Sequence, residues 1–114
     1  MTDIEKLQQQ IDQFNKERDW DQFHNGKDLA VALSLEASEL LEIYLWKNAE
    51  QADTDPNTIA KVKEELADVF TYALQIATKY NLNVKEIVET KLQRNAQKYP
   101  IEKAKGSAKK YTEL

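Results

Sequence analysis

The feature that most constrains this chain is its shortage of residues that interrupt helices. Only two glycines and two prolines occur among its 114 residues, and these are the two residue types that are least favourable inside a helix. Apolar residues recur with helical spacing, and no alternation of the length that a strand needs is present. The sequence therefore predicts an all-α fold, a bundle of four helices in a single domain that spans residues 1–114.

Four helices are predicted from the apolar periodicity and from start and stop signals. Thr2 and Glu5 have capping-box spacing at the start of the first helix, Asp55 precedes a proline at the start of the third, and Asn83 precedes the fourth. Pro100 should follow the end of the fourth helix, because proline disfavours helix in the residue before it. The predicted ranges are about 3–18, 27–49, 56–80 and 84–97, followed by an irregular tail over 99–114.

Charge and composition exclude several classes of function. The net charge is −4, whereas a surface for a nucleic-acid polymer needs a concentrated basic patch. No stretch approaches the roughly 20 apolar residues of a membrane span, and no basic segment followed by an apolar run indicates a signal peptide. The chain has no cysteine, which excludes disulfides and thiolate metal sites and agrees with the cytoplasmic location that we expect.

Four acidic residues occupy positions where the helical pattern is apolar. At about 100° per residue, Glu36 lies within the apolar arc of the second predicted helix, and Glu39 lies about 60° away from it. Glu65 and Asp68 repeat this arrangement on the third helix, whereas Glu64 falls on the solvent side. Each helix therefore presents one inward acid pair at i, i+3, a spacing that places both side chains on one face.

Carboxylates within an apolar arc need a partner, since burying one unpaired costs on the order of several kcal/mol. Such a cluster must take up protons, meet basic side chains or bind cations. Lys61 and Lys79 could approach it, but two lysines do not neutralise four acids. Mg²⁺ prefers oxygen ligands and recruits substrate phosphates, so the pattern favours a magnesium site that serves phosphate chemistry.

Other interpretations of these residues remain open. An acid pair at i, i+3 is common on solvated helix faces, and helical wheels do not show whether two pairs face each other. A di-iron bundle needs Glu-x-x-His motifs, but the only histidine, His24, lies in the connector before the second helix. Trp46 lies two turns beyond Glu39 and Tyr72 one turn beyond Asp68, where each ring suits either a stacked base or an ordinary core or interface.

At these residues the sequence resembles the MazG-like, all-α nucleoside triphosphate pyrophosphohydrolases, whose signature is Glu-x-x-Glu on one helix and Glu-x-x-Asp on the next. The resemblance covers nearly the whole chain and is strongest to the dCTP pyrophosphatase branch. Beyond the acid pairs it lies in residues 17–24, 46–47, 91–100 and 106–112. The chain departs from that branch at Ile11, where the branch has a histidine that helps to frame the base.

The resemblance implies Mg²⁺-dependent hydrolysis of a nucleoside triphosphate, with dCTP or a modified dCTP expected, to a monophosphate and pyrophosphate. It implies a housekeeping role that removes unwanted nucleotides. It assigns Glu36, Glu39, Glu65 and Asp68 as catalytic residues and metal ligands. The substrate-binding residues implied are Trp20, Trp46 and Tyr72 around the base, Lys91 and Asn95 at the phosphates or sugar, and Lys98 with Lys91 at the leaving pyrophosphate.

The second predicted helix also indicates association between subunits. Its apolar residues cover roughly three-quarters of the wheel, whereas an ordinary surface helix has a stripe little wider than 100°. A second subunit could cover the excess, so a dimer is the minimum, and the family resemblance implies a tetramer with sites built from two subunits.

Two alternatives to the proposed activity remain: a catalytically silent helical module that binds nucleotides or proteins, and a related enzyme acting on phosphoribosyl-ATP or dUTP.

Overall fold

Every regular element of the computed structural model, which describes all 114 residues, is helical. The prediction of an all-α fold is therefore confirmed. The chain divides into two compact units, Met1–Asn81 and Leu82–Leu114, and the prediction of a single domain stays a prediction. The first unit holds α1 (Asp3–Glu17), α2 (Gly26–Glu42), α3 (Ala49–Thr54) and α4 (Pro56–Lys79); the second holds α5 (Val84–Lys98) and α6 (Ile101–Ala104).

Polar side chains at the helix starts satisfy backbone amides that have no partner within the helix. Thr2 Oγ1 accepts a hydrogen bond from the amide of Glu5 at 3.1 Å, as the capping-box spacing predicts. At the start of α5 the side chain of Asn83 accepts from the amide of Glu86 at 3.0 Å. The predicted starts of these helices are thereby confirmed, and the ends of α1, α4 and α5 lie within one residue of the predicted ones.

The prediction that the second helix continues to Ala49 is wrong beyond Glu42. Turns follow α2, and Trp46 has a positive φ of 65°, a conformation outside the helical region. Asn48 then caps the separate helix α3, because its side chain accepts a hydrogen bond from the amide of Gln51 at 2.8 Å. The apolar periodicity runs through this break, where the amides of Ile43, Tyr44 and Leu45 donate to carbonyl groups three residues earlier and the long helix ends.

The prediction of an irregular tail over residues 99–114 is also wrong in part. Pro100 has a φ of −59°, which suits the start of a helix. Its carbonyl oxygen accepts hydrogen bonds from the amides of Lys103 and Ala104 at 3.0 and 2.9 Å. The proline that ends α5 therefore begins the short helix α6, and a further 3₁₀ turn spans Tyr111–Glu113.

The packing of α2 against α4 determines which side chains meet in the first unit. Lys47, just after α2, contacts Thr58 near the start of α4, whereas Leu29 near the start of α2 lines the same cavity as Gln75 near the end of α4. The two helices therefore run antiparallel, with Glu36 near the middle of the contact. None of the helices is long and apolar enough to cross a membrane.

A buried hydroxyl group fixes the start of α4. Thr58 is 1% exposed; its Oγ1 accepts from Lys47 Nζ at 3.1 Å and donates to Asp55 Oδ2 at 2.9 Å. Asp55 caps the helix by accepting from the amide of Asn57 at 3.1 Å. The bond from Thr58 and then the bond from Asn57 hold the pKa of the Asp55 carboxyl below its ordinary value of 3.8.

We expect Thr58→Val to lower the free energy of unfolding by about 1 to 2 kcal/mol, because the buried hydroxyl serves two charged partners. Urea denaturation at pH 7 measures the change. Because the pKa of the Asp55 carboxyl is lowered, the stability that this carboxylate contributes is present above pH 3.8 and is lost as the pH falls below that value. Thr54→Val, at an exposed hydroxyl on α3, is the control and should change stability by less than about 0.5 kcal/mol; equal losses in both variants would contradict this account.

Candidate active site

Acidic side chains from α2 and α4 converge in the first unit. Glu36, Glu65 and Asp68 each offer one carboxylate oxygen, and these three oxygens lie within 4.8 Å of one another. Glu36 and Glu65 are half-buried, whereas Asp68 is exposed. The antiparallel packing of α2 and α4 therefore brings the two acid pairs together. Helical wheels alone do not establish this proximity.

The inner oxygens of this cluster have no protein partner. Glu36 Oε2 and Glu65 Oε2 are buried without a hydrogen bond, although a buried acceptor normally has one. No lysine or arginine neutralises the cluster, since the three ion pairs of the chain are Lys16–Asp12, Arg18–Glu17 and Lys85–Glu89. The site therefore concentrates negative charge that the protein leaves unpaired.

The electrostatic consequence is clearest at Glu36. Burial raises the pKa of its carboxyl from 4.5 to about 7, assisted by the close approach of the Glu65 and Glu39 carboxyls and by repulsion from the charges of Glu39 and Asp68. The pKa of the Tyr72 hydroxyl is also raised, first by burial and then by the negative charges of Glu36, Asp68 and Glu39. Tyr72 is therefore close to the acids, as its place one turn beyond Asp68 predicts.

The donor set fits a hard divalent cation. Carboxylate oxygens are the ligands that Mg²⁺ prefers, and a site that supplies few protein ligands leaves positions for water and phosphate. The two orphaned oxygens of Glu36 and Glu65 are the groups that a cation would satisfy. Asp68, with an oxygen in the same cluster, completes a set of three candidate ligands.

The environment of Glu39 differs from the predicted one. The helical wheel places Glu39 in the apolar arc, but its side chain is exposed in the single chain. Its neighbour one turn earlier, Leu35, is also 60% exposed. Only the side of α2 that faces α4 is covered within the chain. The effect of Glu39 on the pKa of Glu36 nevertheless places it beside the cluster.

Two lysines lie next to the acids in a shallow depression of about 470 Å³. The depression is lined by Lys47 and Lys61 together with Glu39, Glu65 and three further residues of the α2 end. Lys61 is one turn before Glu65 on α4, so its spacing predicts the approach. Lys47 lies in the turns after α2, where no periodicity could have identified it. Lys79, the other lysine considered from the sequence, lines a different cavity.

The aromatic residues assigned to the base have different surroundings. The prediction that Trp46 lies on the helical face of Glu39 is wrong, because α2 ends before Trp46. The side chain of Trp46 is 101% exposed. Trp20 packs edge-on against Phe14, with ring centroids 5.6 Å apart, and is partly exposed. A substrate role for either tryptophan stays a prediction.

The predicted phosphate and sugar residues lie on α5, in the second unit. Lys91, Asn95 and Lys98 are spaced i, i+4 and i+7, which places them on one face of that helix. The ammonium group of Lys98 lies 4.8 Å from the centroid of the Tyr111 ring, a cation–π contact that holds the tail against α5. Their roles toward a substrate stay predictions.

The chain is similar to known proteins in its sequence and in its fold. The model of the MazG-like family matches residues 31–114. The chain is 35% identical to dCTP pyrophosphatase 1 of Mus musculus over 97% of this chain and 67% of that protein, and 34% identical to the Homo sapiens protein of the same name over 97% and 67%. A crystal structure of a pyrophosphatase from Archaeoglobus fulgidus DSM 4304 superposes with a TM-score of 0.81 at 34% identity, covering 88% of this chain and 94% of that one.

The chain belongs to the MazG-like family, and the resemblance inferred from its acid pairs is confirmed. Within that family it is an enzyme of the nucleotide pyrophosphohydrolase class. All four acids of the two i, i+3 pairs lie within or beside the cluster formed by α2 and α4.

We expect Mg²⁺ to stabilise the protein through this cluster. At a tenfold excess over its dissociation constant, a ligand that binds only the folded state adds about 1.4 kcal/mol, or roughly 4 to 8 °C in melting temperature. Glu36→Gln should abolish this shift and raise the melting temperature in chelator, because it removes one repelling charge. Glu64→Gln, at the exposed neighbour of Glu65, is the matched control; a Mg²⁺ shift that survives Glu36→Gln unchanged would place the metal elsewhere.

The same cluster should make the metal-free protein sensitive to pH. The pKa of Glu36 is raised from 4.5 to about 7 in the folded state, so its neutral form is the one that folding favours. The contribution of Glu36 to stability in chelator is therefore most favourable below pH 4.5 and decreases as the pH rises toward 7. Melting curves across this range should be flatter for Glu36→Gln than for the wild type.

Proposed function

We propose that this enzyme hydrolyses dCTP, or a modified dCTP, to the monophosphate and pyrophosphate in a Mg²⁺-dependent reaction, and thereby removes unwanted nucleotides. The observation that carries the proposal is the pair of orphaned, buried oxygens on Glu36 and Glu65 in a chain of the MazG-like family. The name of the mouse and human relatives supports the choice of dCTP. A cytoplasmic location remains a prediction.

Glu36, Glu65 and Asp68 would hold the metal, with Glu39 beside them. When bound, magnesium supplies positive charge for the phosphates and lowers the pKa of a water molecule that attacks phosphorus. In this proposal either Glu36 or Glu39 accepts the proton of the attacking water, as a general base within the cluster does.

Attack on the α-phosphorus breaks its bond to the bridging oxygen, which leaves with the pyrophosphate. Negative charge then grows on the leaving group, and positive side chains stabilise it there. Lys47 and Lys61 lie in the depression beside Glu39 and Glu65, where they are available for this role. The proposal also retains Lys91 and Lys98, to which the family resemblance assigns the same task.

Homo-oligomerisation is part of the proposal, with a dimer as the minimum and a tetramer expected. On α2, Val31, Leu35 and Leu41 are 52%, 60% and 65% exposed, and on α4 Phe70 is 59% exposed. Apolar residues exposed in such number mark an interaction surface. Because Glu39 is one turn from Leu35, a second copy that covers this surface would also enclose Glu39 at the edge of the acid cluster.

The activity is tested with dCTP and Mg²⁺ by separating the products, and we expect dCMP and pyrophosphate rather than orthophosphate. Glu36→Gln and Asp68→Asn should each lower kcat at least about a hundredfold, since each removes charge from the site of phosphoryl transfer, while helicity by circular dichroism is retained. Glu64→Gln should keep full activity. Full activity in Glu36→Gln would refute the proposed site.

A panel that also contains dUTP, phosphoribosyl-ATP and modified dCTP separates the proposal from its alternatives. Turnover of phosphoribosyl-ATP or dUTP in place of dCTP would assign the chain to the related enzymes. If no triphosphate yields pyrophosphate, the chain would instead be the catalytically silent module that binds nucleotides or proteins.

The oligomeric state is tested by light scattering coupled to size exclusion. We expect a dimer or tetramer for the wild type and a smaller species for the double variant Leu35→Glu/Phe70→Glu, because charges at the exposed apolar positions oppose association. Leu92→Glu, at a 60% exposed apolar residue of α5, serves as a comparison in the second unit. A monomeric wild type at micromolar concentration would contradict the proposal.

A further inference from the structure

A buried hydroxyl group holds the lysine that follows α2. Lys47 Nζ donates a hydrogen bond to Thr58 Oγ1 at 3.1 Å, and Thr58 is 1% exposed. The hydroxyl of Thr58 donates in turn to Asp55 Oδ2 at 2.9 Å. A hydroxyl group has a single hydrogen, so the Thr58 oxygen is left to accept from the ammonium. The three groups form a hydrogen-bonded chain that runs from ammonium to hydroxyl to carboxylate.

The charge of Asp55 fixes the direction of this chain. The bond from Thr58, then the bond from the amide of Asn57 and then the charge of Lys47 lower the pKa of the Asp55 carboxyl below 3.8. Asp55 is therefore ionised at neutral pH, and an ionised carboxylate only accepts hydrogen bonds. Because Asp55 accepts, the hydroxyl of Thr58 must donate to it, and its oxygen stays turned to Lys47.

The ammonium group of Lys47 stays apart from the acids beside it. Lys47 lines the depression of about 470 Å³ together with Glu39, Glu42 and Glu65. It forms no ion pair with them, since the three ion pairs of the chain lie in α1, at the end of α1 and in α5. A lysine on its flexible stem is drawn to a nearby carboxylate by the attraction of opposite charges. Here the bond to Thr58 holds the ammonium in another place.

This separation leaves both kinds of charge free for a ligand. An ammonium group has three N–H donors, of which Lys47 gives one to Thr58. The buried oxygens of Glu36 and Glu65 keep no protein partner and can serve a cation. If Lys47 paired with the acid cluster, it would compete with a metal ion and its own charge would be lost to a phosphate. The depression therefore offers a cation site and an anion site side by side.

We propose that Thr58 is a positioning residue of this enzyme, an inference that rests on the proposed function. With Asp55, it keeps the ammonium of Lys47 away from the acid cluster and available to the leaving pyrophosphate. As the attacking water bonds to the α-phosphorus and gives its proton to a carboxylate of the cluster, the bond to the bridging oxygen breaks. Its electron pair leaves with pyrophosphate, and the ammonium donates to the oxygen where this charge grows. Thr58 is buried and acts only through Lys47.

The first test is steady-state hydrolysis of dCTP by variants of the hydrogen-bonded chain. Lys47→Met should lower kcat at least about tenfold, because the positive charge at the leaving group is lost. Thr58→Val should lower kcat about tenfold and change KM by less than about threefold, because the charge on the leaving group grows only in the transition state. Thr58→Ser retains the hydroxyl group and should restore kcat to within about threefold of the wild type.

The double variant Lys47→Met/Thr58→Val separates positioning from a structural role. If Thr58 acts through Lys47, valine should cost less than about twofold further in kcat once the lysine is gone, whereas independent effects multiply. A valine that only weakened the fold would cost the same factor in both backgrounds. Thr54→Val and Lys63→Met, at an exposed hydroxyl and an exposed lysine outside the depression, are the controls and should keep full activity. All variants are assayed at a temperature where circular dichroism shows them folded.

Calorimetric titration with pyrophosphate and Mg²⁺ makes the outcome independent of turnover. The dissociation constant of pyrophosphate should rise about tenfold in Lys47→Met and in Thr58→Val and stay unchanged in Thr54→Val and Lys63→Met. Full kcat in Thr58→Val, multiplied losses in the double variant, or pyrophosphate binding that Lys47→Met leaves unaltered would each overturn the inference. If the wild type hydrolyses no triphosphate, the proposed function fails, and the titration decides separately whether Thr58 holds Lys47 for a diphosphate.

Discussion

Repulsion among carboxylates is the constraint around which the first unit is organised. The packing of α2 against α4 brings oxygens of Glu36, Glu65 and Asp68 within 4.8 Å of one another, and no basic side chain pairs with them. Burial then raises the pKa of Glu36 to about 7, which means that the folded chain holds this charge at a cost in free energy. A divalent cation removes that cost, so metal binding and folding are coupled through the same side chains.

The antiparallel contact of α2 and α4 also orders the parts of the proposed site. Toward the end of α2, Lys47 and Lys61 share a depression with two of the acids. In the opposite direction, two turns away, lies the cavity with Asn15 and Gln75. In the proposed function, the α-phosphate of the substrate lies at the acids and its outer phosphates lie near Lys47 and Lys61, an order that suits cleavage between the α and β phosphates.

The chain buries few apolar side chains by itself. Leu29, Ala52 and Ala77 are the buried apolar residues, whereas large ones on the outer sides of α2 and α4 are half exposed or more. Small domains compensate for a limited core by association. In the proposed oligomer, Leu35 and Glu39 lie on the same side of α2, so the contact that buries apolar surface also encloses part of the catalytic cluster. Stability and catalysis would then depend on the same interface.

The local sequence determined the helices and the residue types of the cluster. Scarce glycine and proline, and caps such as Thr2 and Asn83, act within a few residues, and the i, i+3 acid pairs follow from helical periodicity alone. Helical periodicity gave the wrong conformation at Trp46, because the apolar pattern continues through the turns that follow α2. Only the tertiary structure decided that the two acid pairs meet, that Glu39 remains exposed on one chain, and that Asn15 pairs with Gln75. These are contacts between residues far apart in the chain, and the antiparallel register of separate helices, which no local pattern encodes, determines them.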